Sequence, residues 1–198
     1  PDKVAYLAFT SGTTGTPKAT MHFHRDVIAM CDCFPRSFGM AEPHDIFTGT
    51  PPLAFTFGLG GLTCFPMRFG ASTRFFPAPL SPEDMMAAIE KYKITSIYTA
   101  PTMYRLLAEL ADKYDISSLE KCVSAGETLP KAIWEAFHKA TGIRIVDGLG
   151  STEMIHIFVA ASREDMRPGF TGKAIPGYRA KIVDEDGNDL GPNQPGLL

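Results

Sequence analysis

The sequence lacks the features that mark membrane, secreted and nucleic-acid-binding proteins. Its 198 residues include four cysteines without the spacing of a disulfide framework, and the first residues carry no signal-peptide pattern. The apolar segment 58–69 is too short and too rich in glycine to span a bilayer. The net charge of −3 shows neither a basic excess suited to nucleic acid nor an acidic arm. These absences predict a cytoplasmic globular protein whose partners are neither membranes nor nucleic acids.

The histidines and cysteines near the N-terminus allow two interpretations. His22, His24, Cys31 and Cys33 have the H-x-H and C-x-C spacing of a zinc cluster. The segment 25–30 also has the pattern of an amphipathic helix, in which the cysteines would be small core residues. The helical interpretation is the stronger one, and it predicts no zinc site here.

Residues 10–18, with the sequence T-S-G-T-T-G-T-P-K, concentrate hydroxyls, glycines and a lysine directly behind the apolar run 4–9. A strand that ends in such a loop is typical of a polyphosphate site. The glycines let several backbone N–H groups point to one place, the hydroxyls donate to phosphate oxygens, and Lys18 adds a mobile positive charge. The predicted phosphate-binding residues are Thr10, Ser11, Gly12, Thr13, Thr14, Gly15 and Lys18. A plain surface loop would need neither this lysine nor the apolar strand before it.

The spacing within this loop excludes the common nucleotide-binding P-loop. That motif places Gly and Lys side by side and follows them with Ser or Thr, whereas Pro17 separates Gly15 from Lys18 here. The loop instead resembles that of the adenylate-forming superfamily, which comprises acyl-CoA synthetases, luciferases and peptide-synthetase adenylation domains. The family pattern is S/T-S-G-S/T-S/T-G-x-P-K-G, and the chain departs from it only at Ala19, which replaces the final glycine.

Strand-like and helix-like segments alternate along the chain. The predicted strands are 45–48, 72–76, 94–98, 121–124 and 143–146, and the predicted helices are 81–93, 101–114 and 130–141. Ser81 is expected to cap its helix, and Gly142 is expected to end the last one in a left-handed conformation. This alternation predicts an α/β fold, with a mostly parallel, doubly wound sheet covered by helices and with ligands at the carboxyl ends of its strands.

The chain is expected to divide near residue 169. Residues 1–168 are predicted to form the α/β core, incomplete at its start, and 169–198 the beginning of a β-rich subdomain with a hairpin-type turn at 185–188. Since Pro1 is not an initiator methionine and Leu198 falls where a strand is beginning, we expect a fragment. The resemblance implies the large N-terminal domain of the superfamily without its small C-terminal lid.

A second family signal lies at residues 147–153, D-G-L-G-S-T-E, which contain the G-x-T-E motif of the superfamily. The resemblance implies that Thr152 contacts the α-phosphate and that Glu153 holds a magnesium ion. A carboxylate oxygen suits a hard dication that bridges phosphates. Lys18, Thr152 and Glu153 are therefore the candidate catalytic residues, and Glu153 is the candidate metal ligand.

The implied adenine site combines that motif with the strand-to-helix turn at residues 124–130. Its candidate residues are Gly126, Glu127, Thr128, Asp147, Gly148 and Leu149. Leu149 stands where the superfamily often has an aromatic residue that stacks on adenine.

The remaining signals concern the carboxylic acid. Residues 52–61 are aromatic-rich, as is the segment that closes the acyl pocket in the superfamily, and residues 22–24, 124–127 and 150–158 resemble the benzoate- and 2-aminobenzoate-CoA ligase branch. The implied acyl pocket is Phe55, Thr56, Phe57, Ala125, Gly150, His156 and Ile157. Small residues at 125 and 150 leave a flat slot for a ring between apolar walls. His156 either hydrogen-bonds the substrate or is a structural histidine satisfied by backbone.

The resemblance implies an AMP-forming acid–thiol ligase that uses ATP, Mg²⁺ and coenzyme A. The carboxylate would attack the α-phosphorus of ATP, and the thiol of coenzyme A would then attack the acyl-adenylate. This requires the loop before Lys18 and the carboxylate of Glu153 to face one triphosphate. Two alternatives stay open, a carrier-protein thiol as acceptor and a nucleotide-binding scaffold without catalysis. We expect the isolated fragment, without its lid, to be inactive.

Overall fold

The computed structural model describes residues 1–10, 17–77 and 79–198. Strand β1, Val4–Thr10, pairs antiparallel with β2, Lys18–Phe23, and Thr10 lies opposite Lys18. The predicted strand ahead of the glycine-rich loop is therefore confirmed, and Lys18 begins the returning strand. Residues 11–16, which include Ser11, Gly12, Thr13, Thr14 and Gly15 of the predicted phosphate loop, lie outside the described residues.

The main sheet is seven-stranded, in the order β4-β3-β5-β6-β7-β8-β9. Its strands are β3 Ile46–Gly49, β4 Ser72–Thr73, β5 Ser96–Thr99, β6 Lys121–Ser124, β7 Ile145–Gly150, β8 Ile157–Ala160 and β9 Lys173–Ala174. The first five in this order are parallel, and β8 and β9 are antiparallel additions. The prediction of a mostly parallel α/β sheet is confirmed.

The helices of the described chain are α1 His24–Ser37, α2 Thr56–Leu59, α3 Phe65–Phe69, α4 Pro82–Tyr92, α5 Pro101–Ala108 and α6 Lys131–Thr141. A π-helical turn, Gly60–Cys64, joins α2 to α3, and a 3₁₀ helix, Ala111–Lys113, follows α5. The helical interpretation of the first cysteines is confirmed, because Cys31 and Cys33 lie within α1 and Cys31 is buried in the core. Within the described ranges, no helix is both long and apolar enough to cross a membrane.

The helix ends follow the capping residues of the sequence. The Ser81 hydroxyl accepts a hydrogen bond from the Asp84 backbone N–H at 3.0 Å, with Pro82 in the first helical position. Gly142 ends α6 with φ +74°. Helix α5 is shorter than predicted, because the Leu110 and Lys113 N–H groups bond three residues back and the chain tightens into the 3₁₀ helix.

Three predicted strands differ in length from the observed ones, and the strand predicted at 94–98 is observed as β5, Ser96–Thr99. Strand β7 continues to Gly150 instead of ending at Val146, because β8 pairs with its second half and places Gly148 opposite Ala160. Strand β4 stops at Thr73, and β9 joins the main sheet beside β8. Further on, Val183 bridges both Asp189 and Leu197. The division of the chain near residue 169 stays a prediction.

The centre of the sheet is the core of the molecule. Every residue of β5 and β6 is buried, as expected for parallel strands covered on both faces. The Tyr104 hydroxyl of α5 donates to the Val123 carbonyl at 3.0 Å, and the indole N–H of Trp134 in α6 donates to the Ile145 carbonyl at 2.9 Å. These bonds fix α5 and α6 against the sheet.

Candidate active site

A cavity of about 490 Å³ opens at the carboxyl ends of the parallel strands. Its lining includes Thr50 directly after β3, Ala100 directly after β5, Ala125 directly after β6 and Gly150 at the end of β7. The strand order reverses at β3, since β4 is added on one side of it and β5 on the other. Open α/β sheets bind their ligands at such a reversal.

The cavity brings together the whole predicted acyl pocket. Its lining contains Phe55, Thr56, Phe57, Ala125, Gly150, His156 and Ile157. The first three come from the segment that enters α2, where the Phe55 N–H donates to the Pro52 carbonyl at 3.0 Å. His156 and Ile157 stand at the start of β8, which the hairpin with β7 folds back beside Gly150. Their role in binding an acid stays a prediction.

His156 forms an uncharged wall of this cavity. Its Nε2 lies 3.3 Å from the Phe57 carbonyl oxygen, and since a carbonyl only accepts, Nε2 carries the proton. The side chain is 2% exposed, and burial lowers the pKa of His156 to about 3, so the ring is neutral at physiological pH. Within the described chain, Nδ1 has no hydrogen-bond partner. The bond from Nε2 to the backbone supports a structural role for His156, whereas Nδ1 can still accept a hydrogen bond from a substrate.

The turn after β7 carries the G-x-T-E residues at the edge of the cavity. Thr152 lines the cavity, whereas Glu153 is exposed to solvent. The turn closes with Ile155 at φ +68°, a conformation that is strained for a β-branched residue. Strain of this kind persists only where surrounding contacts impose it, and here the Ile155 side chain is buried in the core.

A long-range hydrogen bond ties this turn to the β1–β2 hairpin. Nε2 of the buried His22, on β2, donates to the Thr152 carbonyl at 2.8 Å. Lys18 lies four residues before His22 on the same strand, a distance of roughly 13 Å along the backbone. The strand that begins with Lys18 is therefore anchored to the turn that contains Glu153.

The predicted adenine residues lie on β7 and in the turn that follows the neighbouring strand β6. Ser124 is paired with Asp147, so the exposed turn 126–128 follows one strand next to the exposed Leu149 of the other. Gly126 has φ +92°, which only glycine adopts without strain, and it also lines the cavity. Asp147 and Gly148 are buried, and the Asp147 carboxylate accepts a hydrogen bond from the Thr171 hydroxyl at 2.8 Å. Burial raises the pKa of Asp147.

The AMP-binding enzyme family matches residues 1–198, which is the entire chain. The chain belongs to this family. A benzoate–CoA ligase of Thauera aromatica is 33% identical over 192 residues, covering 96% of this chain and 36% of the relative. A p-hydroxybenzoic acid–AMP ligase of Mycobacterium marinum is 34% identical over 198 residues, covering 100% of this chain and 28% of that protein.

A solved structure extends the comparison to the fold. The crystal structure of an anthranilate–CoA ligase in complex with anthranoyl-AMP matches with a TM-score of 0.88 and 38% identity, covering 98% of this chain and 38% of that one. The α/β fold of this member of the AMP-binding enzyme family is thus the fold of the corresponding part of that ligase. The chain spans less than two-fifths of each of these relatives.

The AMP-binding chain has a carboxylate suited to magnesium at the predicted position. In the part of the chain that the structure describes, Glu153 is exposed and forms no ion pair, and no group of three or more His, Cys, Asp or Glu is arranged to hold a metal. Mg²⁺ is often held by only one or two carboxylates together with substrate phosphates and water. The residues present therefore fit a magnesium ion that arrives with a nucleotide.

The sequence did not indicate a place in this cavity for several of its lining residues. Thr50, Pro51 and Ala100 had no assigned role, Pro52 and Ser151 lie in segments singled out above without a role of their own, and Gly126 and Thr152 were assigned to adenine and to phosphate. Thr50 and Ala100 each follow a predicted strand directly, and position after a parallel strand was the signal that would have found them. The Thr50 and Thr99 hydroxyls lie 2.5 Å apart and tie the ends of β3 and β5 together.

Proposed function

We propose that the protein carrying this chain is an AMP-forming ligase that activates an aromatic carboxylic acid with ATP and transfers the acyl group to coenzyme A. The observation that carries the proposal is one cavity at the strand ends, because its lining gathers all of the predicted acyl residues together with Thr152 and Gly126. A carboxylate at that edge would meet a nucleotide that lies along the ends of β6 and β7.

The shape and charge of the cavity support an aromatic acid. A volume of about 490 Å³ is within the usual range for small-molecule sites. The walls are the rings of Phe57 and His156 and the aliphatic Ile157, and none of the described lining residues is charged, since His156 is neutral. A flat, uncharged ring therefore fits the interior, and its carboxylate belongs at the polar edge.

The chemistry needs little beyond positioning and charge neutralisation. A carboxylate is already a nucleophile, so no general base is required. Lys18 would neutralise charge on the leaving pyrophosphate and Thr152 would orient the α-phosphate, and the His22–Thr152 bond supports their placement on one side of the molecule. Glu153 would hold Mg²⁺, which when bound supplies positive charge to the phosphate oxygens.

The relatives support an aromatic acid as the substrate, but they differ in the acceptor of the acyl group. The benzoate– and anthranilate–CoA ligases favour an aromatic acid and coenzyme A, whereas the p-hydroxybenzoic acid–AMP ligase favours a second candidate that ends at the adenylate or serves another thiol. A cytoplasmic location stays a prediction from the sequence.

The test is ATP–pyrophosphate exchange by the full-length protein that contains this chain. We expect exchange with benzoate, 2-aminobenzoate or 4-hydroxybenzoate and thioester formation when coenzyme A is added. Glu153→Gln should lower the exchange rate about 10²–10³-fold, as loss of one charge-stabilising contact does. Activity with long fatty acids alone would contradict the pocket assignment, and no exchange with any acid would favour the non-catalytic scaffold. Steady aryl-CoA formation by the 198-residue chain alone would contradict our expectation that it is inactive.

A further inference from the structure

The π-helical turn Gly60–Cys64 packs against the ring that forms one wall of the cavity. A methyl group added at Gly60 would lie 3.2 Å from Nε2 and 3.3 Å from Cγ of His156, and closer still to Cδ2. Carbon atoms in contact normally lie about 3.5–4.0 Å apart. Gly60 therefore accepts no side chain unless His156 moves.

Four rings of the described chain pack around His156, and of these only Phe57, at a centroid distance of 5.5 Å, also lines the cavity. The Phe65 ring lies against His156 with a centroid distance of 4.6 Å, Phe34 lies at 6.0 Å and Tyr98 at 6.3 Å. Gly60 is buried and does not line the cavity, whereas His156 does, so the imidazole stands between the glycine and the cavity. Close-packed rings move little, so a displaced His156 ring would move towards the cavity.

Helix α2, directly before the π-helical turn, supplies the hydrogen bond that orients the His156 ring. The Phe57 carbonyl that accepts from His156 belongs to α2, directly before the turn, and the Phe65 N–H donates back to the Gly60 carbonyl across the π-helical turn. The segment from α2 to α3 thus contacts the His156 imidazole in three ways: through the Phe57 carbonyl, through the edge of the Phe65 ring and through the backbone of Gly60. Single π-helical turns of this kind are frequent at functional sites.

We infer that Gly60 is a specificity-determining residue for the acyl cavity. Because Gly60 has no side chain, the His156 ring can pack directly against its backbone, and the position of that ring sets the depth of the cavity. This rests on the proposed function. The depth so created suits acids with a six-membered ring, and a residue larger than glycine at position 60 moves the imidazole into the space of that ring. Gly60 acts through His156 and touches no substrate, so it is a positioning residue.

The experiment compares ring sizes in the full-length protein that contains this chain. For Gly60→Ala we expect kcat/KM for benzoate to fall about 10-fold or more relative to that for 2-furoate, whose ring is smaller, because a misfit of one methylene is worth that much. The KM for ATP should be unchanged. The matched control is Gly191→Ala, since a methyl group at Gly191 meets open space. An unchanged ratio of benzoate to furoate in Gly60→Ala would overturn the inference.

A double variant separates the inference from a loss of folding and from the proposed function. In a His156→Ala background the same Gly60→Ala change should alter the ratio less than about 2-fold, because the displaced ring is gone. Gly60→Ala alone could fail to fold, and the double variant then decides. If the double variant unfolds at the same temperature as His156→Ala, the clash between the added methyl group and the His156 ring is supported. If the double variant is also unfolded, the inference is overturned. Absence of exchange by the wild-type protein with every aromatic acid would instead contradict the proposed function.

Discussion

Replacing Lys121 with methionine is the sharpest test of how the sheet beneath the site is held together. Lys121 begins β6, and its ammonium lies 2.6 Å from the Asp45 carboxylate and 3.0 Å from that of Glu42. The side chains of Lys121 and Asp45 are 1% and 0% exposed. Both lie at the amino ends of their strands, away from the cavity, so the change should affect stability and leave the site residues in place.

The magnitude follows from the burial of the pair. Methionine fills the space of the lysine stem but leaves the Asp45 carboxylate buried without its cation, and breaking such a pair costs about 3–5 kcal/mol. The carboxylate keeps hydrogen bonds from the Thr95 hydroxyl and the Glu42 N–H, both at 2.7 Å, so we expect the lower end of that range. A loss of about 3 kcal/mol is a large part of the 5–15 kcal/mol that stabilises a typical domain.

The assay is urea unfolding of the 198-residue chain at pH 7, followed by circular dichroism. The double variant Asp45→Asn with Lys121→Met should recover part of the loss, because the amide oxygen can accept from the Glu42 N–H and the amide NH2 can donate to the Thr95 hydroxyl, without a buried charge. The matched control is Lys131→Met, since Lys131 and Glu135 form an exposed pair at 3.6 Å worth about 0.5 kcal/mol at most. A loss below about 1 kcal/mol for Lys121→Met would refute the reasoning.

Three further predictions concern the site. His22→Ala removes the bond to Thr152, so pyrophosphate exchange by the full-length protein should fall with little change in the KM for the acid, and unchanged kcat would contradict a role in holding the turn. Because burial lowers the pKa of His156 to about 3, the unfolded chain takes up this proton first, and folding stability should fall as pH drops from about 6.5 towards 3, by up to ~1.4 kcal/mol per pH unit. In urea titrations His156→Asn should show a shallower fall, and an equal slope would contradict the buried neutral ring. Phe57→Ala should raise the KM for benzoate and leave that for ATP unchanged, whereas an equal rise in both would argue against a ring-binding wall.

Much of the local structure was predictable because its causes are close together in the sequence. The serine cap at Ser81 and the left-handed glycine at Gly142 appear as predicted, since each depends on its own turn alone. The strands and helices alternate as expected, and that alternation by itself determines a mostly parallel sheet with ligands at the carboxyl ends of its strands. Among the predicted acyl residues, Ala125 follows β6 directly and Gly150 ends β7, whereas the set as a whole was implied by the family resemblance.

The features that position the site were decided only by tertiary structure. His22 meets Thr152 across 130 residues, and Lys121 meets Asp45 across 76, and no local pattern in the sequence announces either contact. The same holds for the π-helical turn at Gly60, which packs against His156 far along the chain, and for strand β8, whose place in the sheet depends on its pairing with β7. Local propensity therefore determined the elements and their order, whereas the depth and walls of the cavity depended on non-local packing, whose energy is gained only once the whole sheet has assembled.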